Sequence, residues 1–565
     1  MRAVELDAVL LILARDADPQ ETAQRLTERV RALVVAALRG QPLPGLTDPA
    51  AAILRAWVDK QGGSHASAGA HYEELLNLTL ERRSGEVVIC RRRGTQRPTG
   101  TYYTGAQVLQ YMVERAHTYM HNARTVLDPA CGSGAFLVAI RNRFGEQVER
   151  LVGLDSDPLA VGLCRTAVPQ ACVYETDALL DEVPGGYDLC LGNPPYISSG
   201  LRGAAAISPE RLAALRVQYP ASAQYKLNTY PLFIERGLDL LRVGGVLGFI
   251  LPDSFLTGRY FERVRRLLLQ HTVLELTLIR ADFWQHGLVG QSVILFVCKE
   301  APRPDHTVLV KVCDRVEHLS AVPAAAQPVA DVVWGPLRRF RLIANPQTQV
   351  AVKQMESAPG VRRLGDLVRT YSGLIGRYGQ ESLLRSANPE ALGPWGRLIR
   401  SGREIDRYGL HWIGEEVVLD PALIKSGGRQ AYYASPKLLM RQTADALRAV
   451  YDDQGFYCLN NVHLLVPRRG DTDLRLILGF LNSGPVNLYY QTAAMEVGRL
   501  YAQVDLDIVE GIPIPPLSEG AQPELAMLVR QREKAAPAEA AVLDEQIDWL
   551  VGIAYGLNPH RLRER

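Results

Sequence analysis

The sequence predicts a doubly wound α/β domain followed by a separate α+β domain. Residues 124–300 alternate short apolar runs with helical stretches, and several runs end in acidic or turn residues. A glycine-bearing turn, DPACGSG at 128–134, joins the first run to a helix start. From about 361 to 516 the repeated unit is lost, leaving short strand-like runs among many glycines.

Composition sets the outer bounds. A length of 565 residues exceeds one ordinary domain, and 47% hydrophobic with 22% charged residues is a globular balance. The net charge of +2 neither demands nor excludes a polyanionic partner. Eight cysteines without close pairing read as reduced thiols of a cytoplasmic protein and give no zinc pattern, so no metal is expected. The opening MRAVELDAVLLILARDADPQ turns acidic too soon for a secretory signal, and no apolar run is long enough for a bilayer.

In chain order, residues 1–95 form a helical N-terminal region, with helical spacing in ETAQRLTERVRALVVAAL (21–38) and HYEELLNLTLERR (71–83). RRRGTQR at 91–97 reads as phosphate contacts or as a solvated basic run. The α/β domain spans 96–330, beginning with the amphipathic helix AQVLQYMVERAHTYM. Its strands are RTVLDPA, RLVGLDSDP, ACVYETD, YDLCLGNPP, VLELTLI and SVILFVCK, and NTYPLFIERGLDLLRVGGVLGFILP reads as helix, glycine turn, strand. Residues 301–360 read as a bridge. The α+β domain spans 331–516, with strand-like runs in LHWIGEEVVLD, PKLLMRQTAD, GFYCLNNVHLLVP and RLILGFLNSG; residues 517–565 return to helix.

Ligands of open parallel sheets bind beyond the carboxyl ends of the strands. There, Gly132 and Gly134 let the backbone bend tightly, and the helix from Ala135 presents free N–H groups to a carboxylate. Asp128 would repel a pyrophosphate and suits an ammonium. Asp155 can accept from two ribose hydroxyls, and Asp177 either accepts from an adenine amine or caps a helix. Asp157 reads as the cap of the helix from Pro158. An adenosine with an amino-acid tail, S-adenosyl-L-methionine, fits these charges.

The fourth strand runs into Asn193-Pro194-Pro195-Tyr196. An amine conjugated to an aromatic ring is a poor nucleophile, because its lone pair is delocalised. Two acceptors directed at its hydrogens, the Asn193 side-chain oxygen and the Pro194 carbonyl, help it pyramidalise. Pro195 restrains Pro194 and keeps the turn rigid, and Tyr196 can stack on the base.

The set GTYYTG, DPACGSG, GLDSDP, TDALL, GNPPY and segment 228–252 resembles class I methyltransferases, specifically amino-group DNA methyltransferases. The resemblance implies a Rossmann-like, mixed seven-stranded sheet. It places Tyr102, Tyr103 and Thr104 over the cofactor, the methionine moiety on Asp128, Ala130 and Gly132, the ribose on Asp155 and the adenine edge on Asp177. Asn193 and Phe233 would also border the cofactor. Phe283, with Trp284 as the register alternative, would clamp the target base opposite Tyr196; core packing is the other reading for Phe233 and Phe283.

The motif order resembles the gamma class, dominated by adenine-N6 enzymes, and an Asn rather than a Ser opens the turn. LVRTYSGLIGRYG, SGREIDRYGL, residues 436–467 and QVDLDIVEGIPIPP resemble the target-recognition domain of that class. Between 361 and 445, 13 Arg and Lys face 9 Asp and Glu. Lys437 is expected to contact phosphate, and Arg441 and Gln442 phosphate or minor groove, with a structural ion pair as the alternative for Arg441. None of the eight lysines has an acidic residue two positions upstream, so no nuclease motif is seen. The resemblance thus implies a site-specific, adenine-specific DNA methyltransferase that moves a methyl group from S-adenosyl-L-methionine to N6 of a flipped-out adenine in double-stranded DNA. Its setting would be a restriction–modification system, with any cognate endonuclease a separate chain. Cytosine N4, RNA, protein glutamine, or a non-catalytic DNA-recognition subunit are the alternatives.

Overall fold

The structure, a computed structural model, describes isolated helical positions between 10 and 37 and residues 78–83, 86–91, 104–199, 207–280, 291–386, 394–496 and 502–558. The chain divides into two units, Met1–Leu342 and Ile343–Arg565.

Strand β1 (Leu78–Arg83) pairs antiparallel with β2 (Glu86–Arg91), where helical spacing predicted a helix reaching residue 83. The Val-Val-Ile run of β2 favours an extended partner, and pairing overrides the local helical preference.

The first unit is then built on a nine-stranded sheet. Its strands are β3 (Thr125–Asp128), β4 (Arg150–Asp155), β5 (Cys172–Glu175), β6 (Tyr187–Gly192), β7 (Leu241–Pro252), β8 (Thr272–Ile279), β9 (Ser292–Cys298), β10 (Thr307–Cys313) and β11 (Ala325–Pro328). The spatial order is β11-β10-β8-β9-β7-β6-β3-β4-β5. Strands β3 to β7 are mutually parallel, and β9 runs antiparallel to β7 and β8. The seven strands from β5 to β8 form the mixed sheet expected from sequence. Strands β10 and β11 extend it, so part of the segment read as a bridge belongs to the sheet. Val293 to Val297 of β9 are all fully buried, as the near-continuous apolar run of a strand covered on both faces requires.

The chain steps from β3 outward to β4 and β5, then returns to lay β6 on the other side of β3. This reversal opens a crevice at the carboxyl ends of β3 and β6. Helix α1 (Ala106–Tyr119) buries Val108, Tyr111, Met112, Val113 and Ala116, one apolar face at helical spacing, each worth about 1.5–3 kcal/mol where a large side chain is fully buried. Buried Glu275 of β8 ties α1 to the sheet, accepting from Tyr111 Oη at 2.5 Å, Arg115 Nε at 2.6 Å and Tyr119 Oη at 2.7 Å. Burial pushes this carboxyl up, but the two phenols and Arg115 outweigh it and hold it below its ordinary value.

Helices α2 (Ala135–Phe144) and α3 (Pro158–Ala167) follow β3 and β4. Asp157 caps α3 by accepting from Leu159 N at 2.9 Å, with Pro158 at the first helical position. Helix α4 (Pro209–Gln218) precedes α5 (Thr229–Leu240), which passes directly into β7; the expected glycine turn appears instead as a register irregularity between β6 and β7.

The second unit carries a four-stranded antiparallel sheet of β12 (Val368–Ser372), β13 (Lys437–Arg441), β14 (Ala449–Asp452) and β15 (Val462–Pro467), in the order β12-β15-β13-β14. Leu398, Ile399, Val417, Leu439 and Leu464 share its core. RLILGFLNSG, read as strand-like, is instead part of a helix, Leu474–Asn482. Asp473 caps it, and Leu474, Ile477, Leu478 and Leu481 face inward at helical spacing. Helices Ala521–Arg532 and Pro537–Ala554 follow. No helix among the described residues is long and apolar enough to cross a membrane.

Candidate active site

The crevice holds a cavity of about 300 Å³. Of the residues expected from sequence, Ala130, Gly132, Asp155, Asp177, Asn193, Pro195 and Phe233 line it. Gly132 and Gly134 take φ of +53° and +95°, the left-handed region that admits glycine without strain. A Cβ on Gly134 would also stand 2.8 Å from Cys164 Sγ on α3, so the turn fixes how closely α2 and α3 approach.

Most amides of this turn are engaged internally: Ala130 N donates to Asp128 Oδ1, Cys131 N to Leu154 O, and Gly132 N to Asp155 Oδ2. Asp155 Oδ1 accepts from Asp157 N at 2.9 Å, and the residue lines the cavity. Burial raises the Asp155 carboxyl, and these N–H groups partly offset the rise.

Asp128 lies deeper than expected for a direct ligand contact. It is 1% exposed and absent from the cavity lining, and its Oδ2 is buried with no hydrogen-bond partner among the described residues. Burial pushes its carboxyl up to about 8, the Ala130 N–H pulls the other way, and Asp155 adds to the rise. A positive charge nearby would reverse that balance.

At the end of the cavity expected to hold adenine, Asp177 Oδ1 accepts from Leu179 N at 3.1 Å while Oδ2 pairs with Arg211 of α4. Arg211, which also lines the cavity, was not found from sequence; its preceding residues carry no recognisable motif.

At the Asn-Pro-Pro-Tyr turn, the candidate reaction turn, Asn193 Nδ2 donates to Thr104 Oγ1 at 3.1 Å, bringing the end of GTYYTG against NPPY. Tyr196 Oη lies 2.5 Å from Asn193 Oδ1 and 2.8 Å from Ile250 O. Its ring is 8% exposed, so the face expected to meet a base is largely covered in this conformation. Pro194 is buried. Thr229, at the start of α5, donates to Pro195 O and accepts from Ile197 N, clamping the turn from beneath. This clamp was missed as well, although the Asn-Thr pair before a helical run was its signal. Phe233 is 6% exposed on the same helix. Tyr102, Tyr103, Phe283 and Trp284 lie outside the described residues.

In the second unit, Lys437 does not reach a surface where a phosphate could bind. It is completely buried, pairs with Asp452 at 2.6 Å across β13 and β14, and donates to Tyr433 O. Arg441 takes the structural alternative, bonding Ile405 O and pairing with Asp406 at 2.9 Å. Gln442 is half-buried, with its backbone joined to Asn461 and Val504. The exposed basic and aromatic residues nearby are Arg377, Tyr378, Lys425 and Arg429, around the pairing of Ile375–Gly376 with Ile424–Ser426.

The fold and crevice define a class I methyltransferase domain, the S-adenosylmethionine-dependent architecture. Two segments of the chain match family models, one in each unit. Residues 150–281 match the Eco57I restriction-modification methylase family, and residues 398–514 match the TaqI-like C-terminal specificity domain. Among curated proteins, the Type II methyltransferase M.TthHB8I of Thermus thermophilus is 35% identical over 176 residues, covering 30% of this chain and 39% of that protein. The Type II methyltransferase M.PaeR7I of Pseudomonas aeruginosa is 24% identical over 302 residues, covering 47% and 51%. The matches thus span about half or less of these relatives. In fold, the Type IIL restriction-modification enzyme MmeI in complex with DNA matches 98% of this chain and 93% of its own, with a TM-score of 0.56 and 13% identity.

Proposed function

We propose that the protein is a site-specific adenine-N6 DNA methyltransferase, the modification component of a restriction–modification system, working in the cytosol on double-stranded DNA. The observation carrying this reading is the placement of Asn193 and Pro195 on the same cavity as Gly132, Asp155 and Asp177. The donor set suits S-adenosyl-L-methionine. Asp155 keeps acceptor capacity for ribose hydroxyls, Asp177 for an adenine amine, and the orphaned, easily protonated Asp128 is the kind of group an ammonium would re-ionise. When bound, the cofactor supplies an electrophilic methyl group.

The chain's own part is orientation. Asn193 Oδ1 and the Pro194 carbonyl accept the two hydrogens of the target amine, directing its lone pair. Thr104 and Thr229 hold the turn from two sides, so little reorganisation accompanies reaction. Phe233 walls the reacting end. Tyr102, Tyr103 and Phe283 keep the roles given by resemblance: the tyrosines cover the cofactor and Phe283 faces the base. Adenine N6 is inaccessible within a duplex, so the base must be extruded, and the covered ring of Tyr196 opens as it enters. The recognition domain contacts DNA through Arg377, Lys425 and Arg429 in place of Lys437. Its cognate endonuclease would be a separate chain.

The test is transfer of labelled methyl groups to unmethylated DNA, followed by nucleoside analysis. N6-methyldeoxyadenosine supports the reading; N4-methyldeoxycytidine or label in protein contradicts it.

A further inference from the structure

Strands β6 and β7 are parallel neighbours, so the loops leaving their carboxyl ends emerge on the same edge as the reaction turn. Two exposed tyrosines meet there. Tyr225 and Tyr260 stack at 4.5 Å with an interplanar angle of 21°, and they are 61% and 43% exposed. Tyr225 is fixed close to the turn, because Asn228, three residues on, bridges Ser198 just beyond Tyr196. Tyr260 precedes Phe261, which stacks on Tyr230 at 5.5 Å; Tyr230 in turn meets Tyr196 edge-on at 5.9 Å. Ring contacts therefore run from Tyr196 through Tyr230 to Phe261, the sequence neighbour of Tyr260.

The surroundings of this stack are basic. Arg259 lies 5.8 Å over the Tyr260 ring, and Lys226 and Arg263 are exposed beside it. The nearby acid, Glu262, is paired with Arg266. Tyr225 also adopts φ of 33°, a costly conformation for a bulky residue and one that the surrounding fold must hold in place.

We infer that the Tyr225–Tyr260 stack, with Lys226 and Arg259, is a DNA-contacting platform of the catalytic unit. It presents aromatic faces to the bases and sugars of the strand that carries the extruded nucleotide, and cations to its phosphates. Aromatic faces flanked by cations are the chemistry that binds nucleic acid without reading sequence. The inference rests on the reading of the chain as a DNA methyltransferase.

The test uses the full chain and a labelled random-sequence duplex with a short unpaired, adenine-bearing bubble, at low salt. Y225A/Y260A is expected to weaken binding roughly tenfold, in line with stacking losses, while Y225F/Y260F, which keeps the faces, binds as wild type. K226Q/R259Q is expected to lower the slope of log affinity against log salt by about 2. Cofactor affinity should be unchanged in all three, which separates a lost contact from a lost fold. Wild-type DNA affinity in Y225A/Y260A overturns the inference alone, and a change in oligomeric state with that affinity would assign the stack to self-association. Failure of the wild-type protein to bind or methylate DNA overturns the functional reading itself.

Discussion

Thr104 Oγ1 accepts from Asn193 Nδ2 at 3.1 Å, joining residues 89 positions apart in sequence. Together with the Tyr196 Oη bond to Asn193 Oδ1, it orients the Asn193 amide, whose oxygen is the proposed acceptor of the target amine. T104V removes the acceptor but keeps the shape. Steady-state kinetics should show kcat reduced by roughly tenfold or less, the value of one neutral hydrogen bond, with cofactor KM little changed. An unaltered kcat would mean that Asn193 is oriented by something else.

Asp155 holds Gly132 N and Asp157 N and faces the cavity. D155A removes the acceptor of Gly132 N in the glycine turn and of Asp157 N before α3, together with the proposed ribose acceptor. Calorimetry should show cofactor affinity lower by at least about tenfold, since more than one hydrogen bond is lost. Wild-type affinity would place the ribose elsewhere.

Asp128 gives a pH signature. Its carboxyl ionises near 3.8 when unfolded and near 8 in the fold, so the fold favours the neutral acid. Between those values the folded state holds more protons than the unfolded one, and stability therefore falls as pH rises, levelling off above about 8. D128N lacks this loss. Its melting temperature should gain on wild type as pH climbs from about 4 to about 8, and parallel curves would contradict the burial argument.

Lys437 and Asp452 are both completely buried, so removing one partner strands the other. K437M should cost roughly 3–5 kcal/mol in denaturant unfolding. A loss below about 0.5 kcal/mol is the behaviour of a surface lysine and would contradict this placement.

Glu275 works in the opposite pH sense to Asp128. Its carboxyl is held below the ordinary value of 4.5, so its stabilisation is present above that pH and is lost as pH falls through the lower, folded value. E275Q should melt lower than wild type at neutral pH, with the gap closing in acid. A constant gap would mean that the loss is one of packing alone.

Much of this was legible in sequence because local chemistry and topology coincide at strand ends. Asp128, Asp155 and Asn193 each follow an apolar run, and parallel strands bring such ends together. Side chains whose roles depend on distant partners were not legible. Lys437 reads as a surface cation until Asp452 is seen opposite it, and Arg211 becomes relevant only when α4 folds over Asp177. RLILGFLNSG was misread because a short apolar run has no decisive period, and only the Asp473 cap and inward face settle it as helix.

The most direct measurement maps modified bases across the genome of a methylation-free host expressing the wild-type protein or N193A. New N6-methyladenine is expected at one short recurrent sequence with wild type and none with N193A. No new adenine mark with wild type, or marks that persist in N193A, would contradict it.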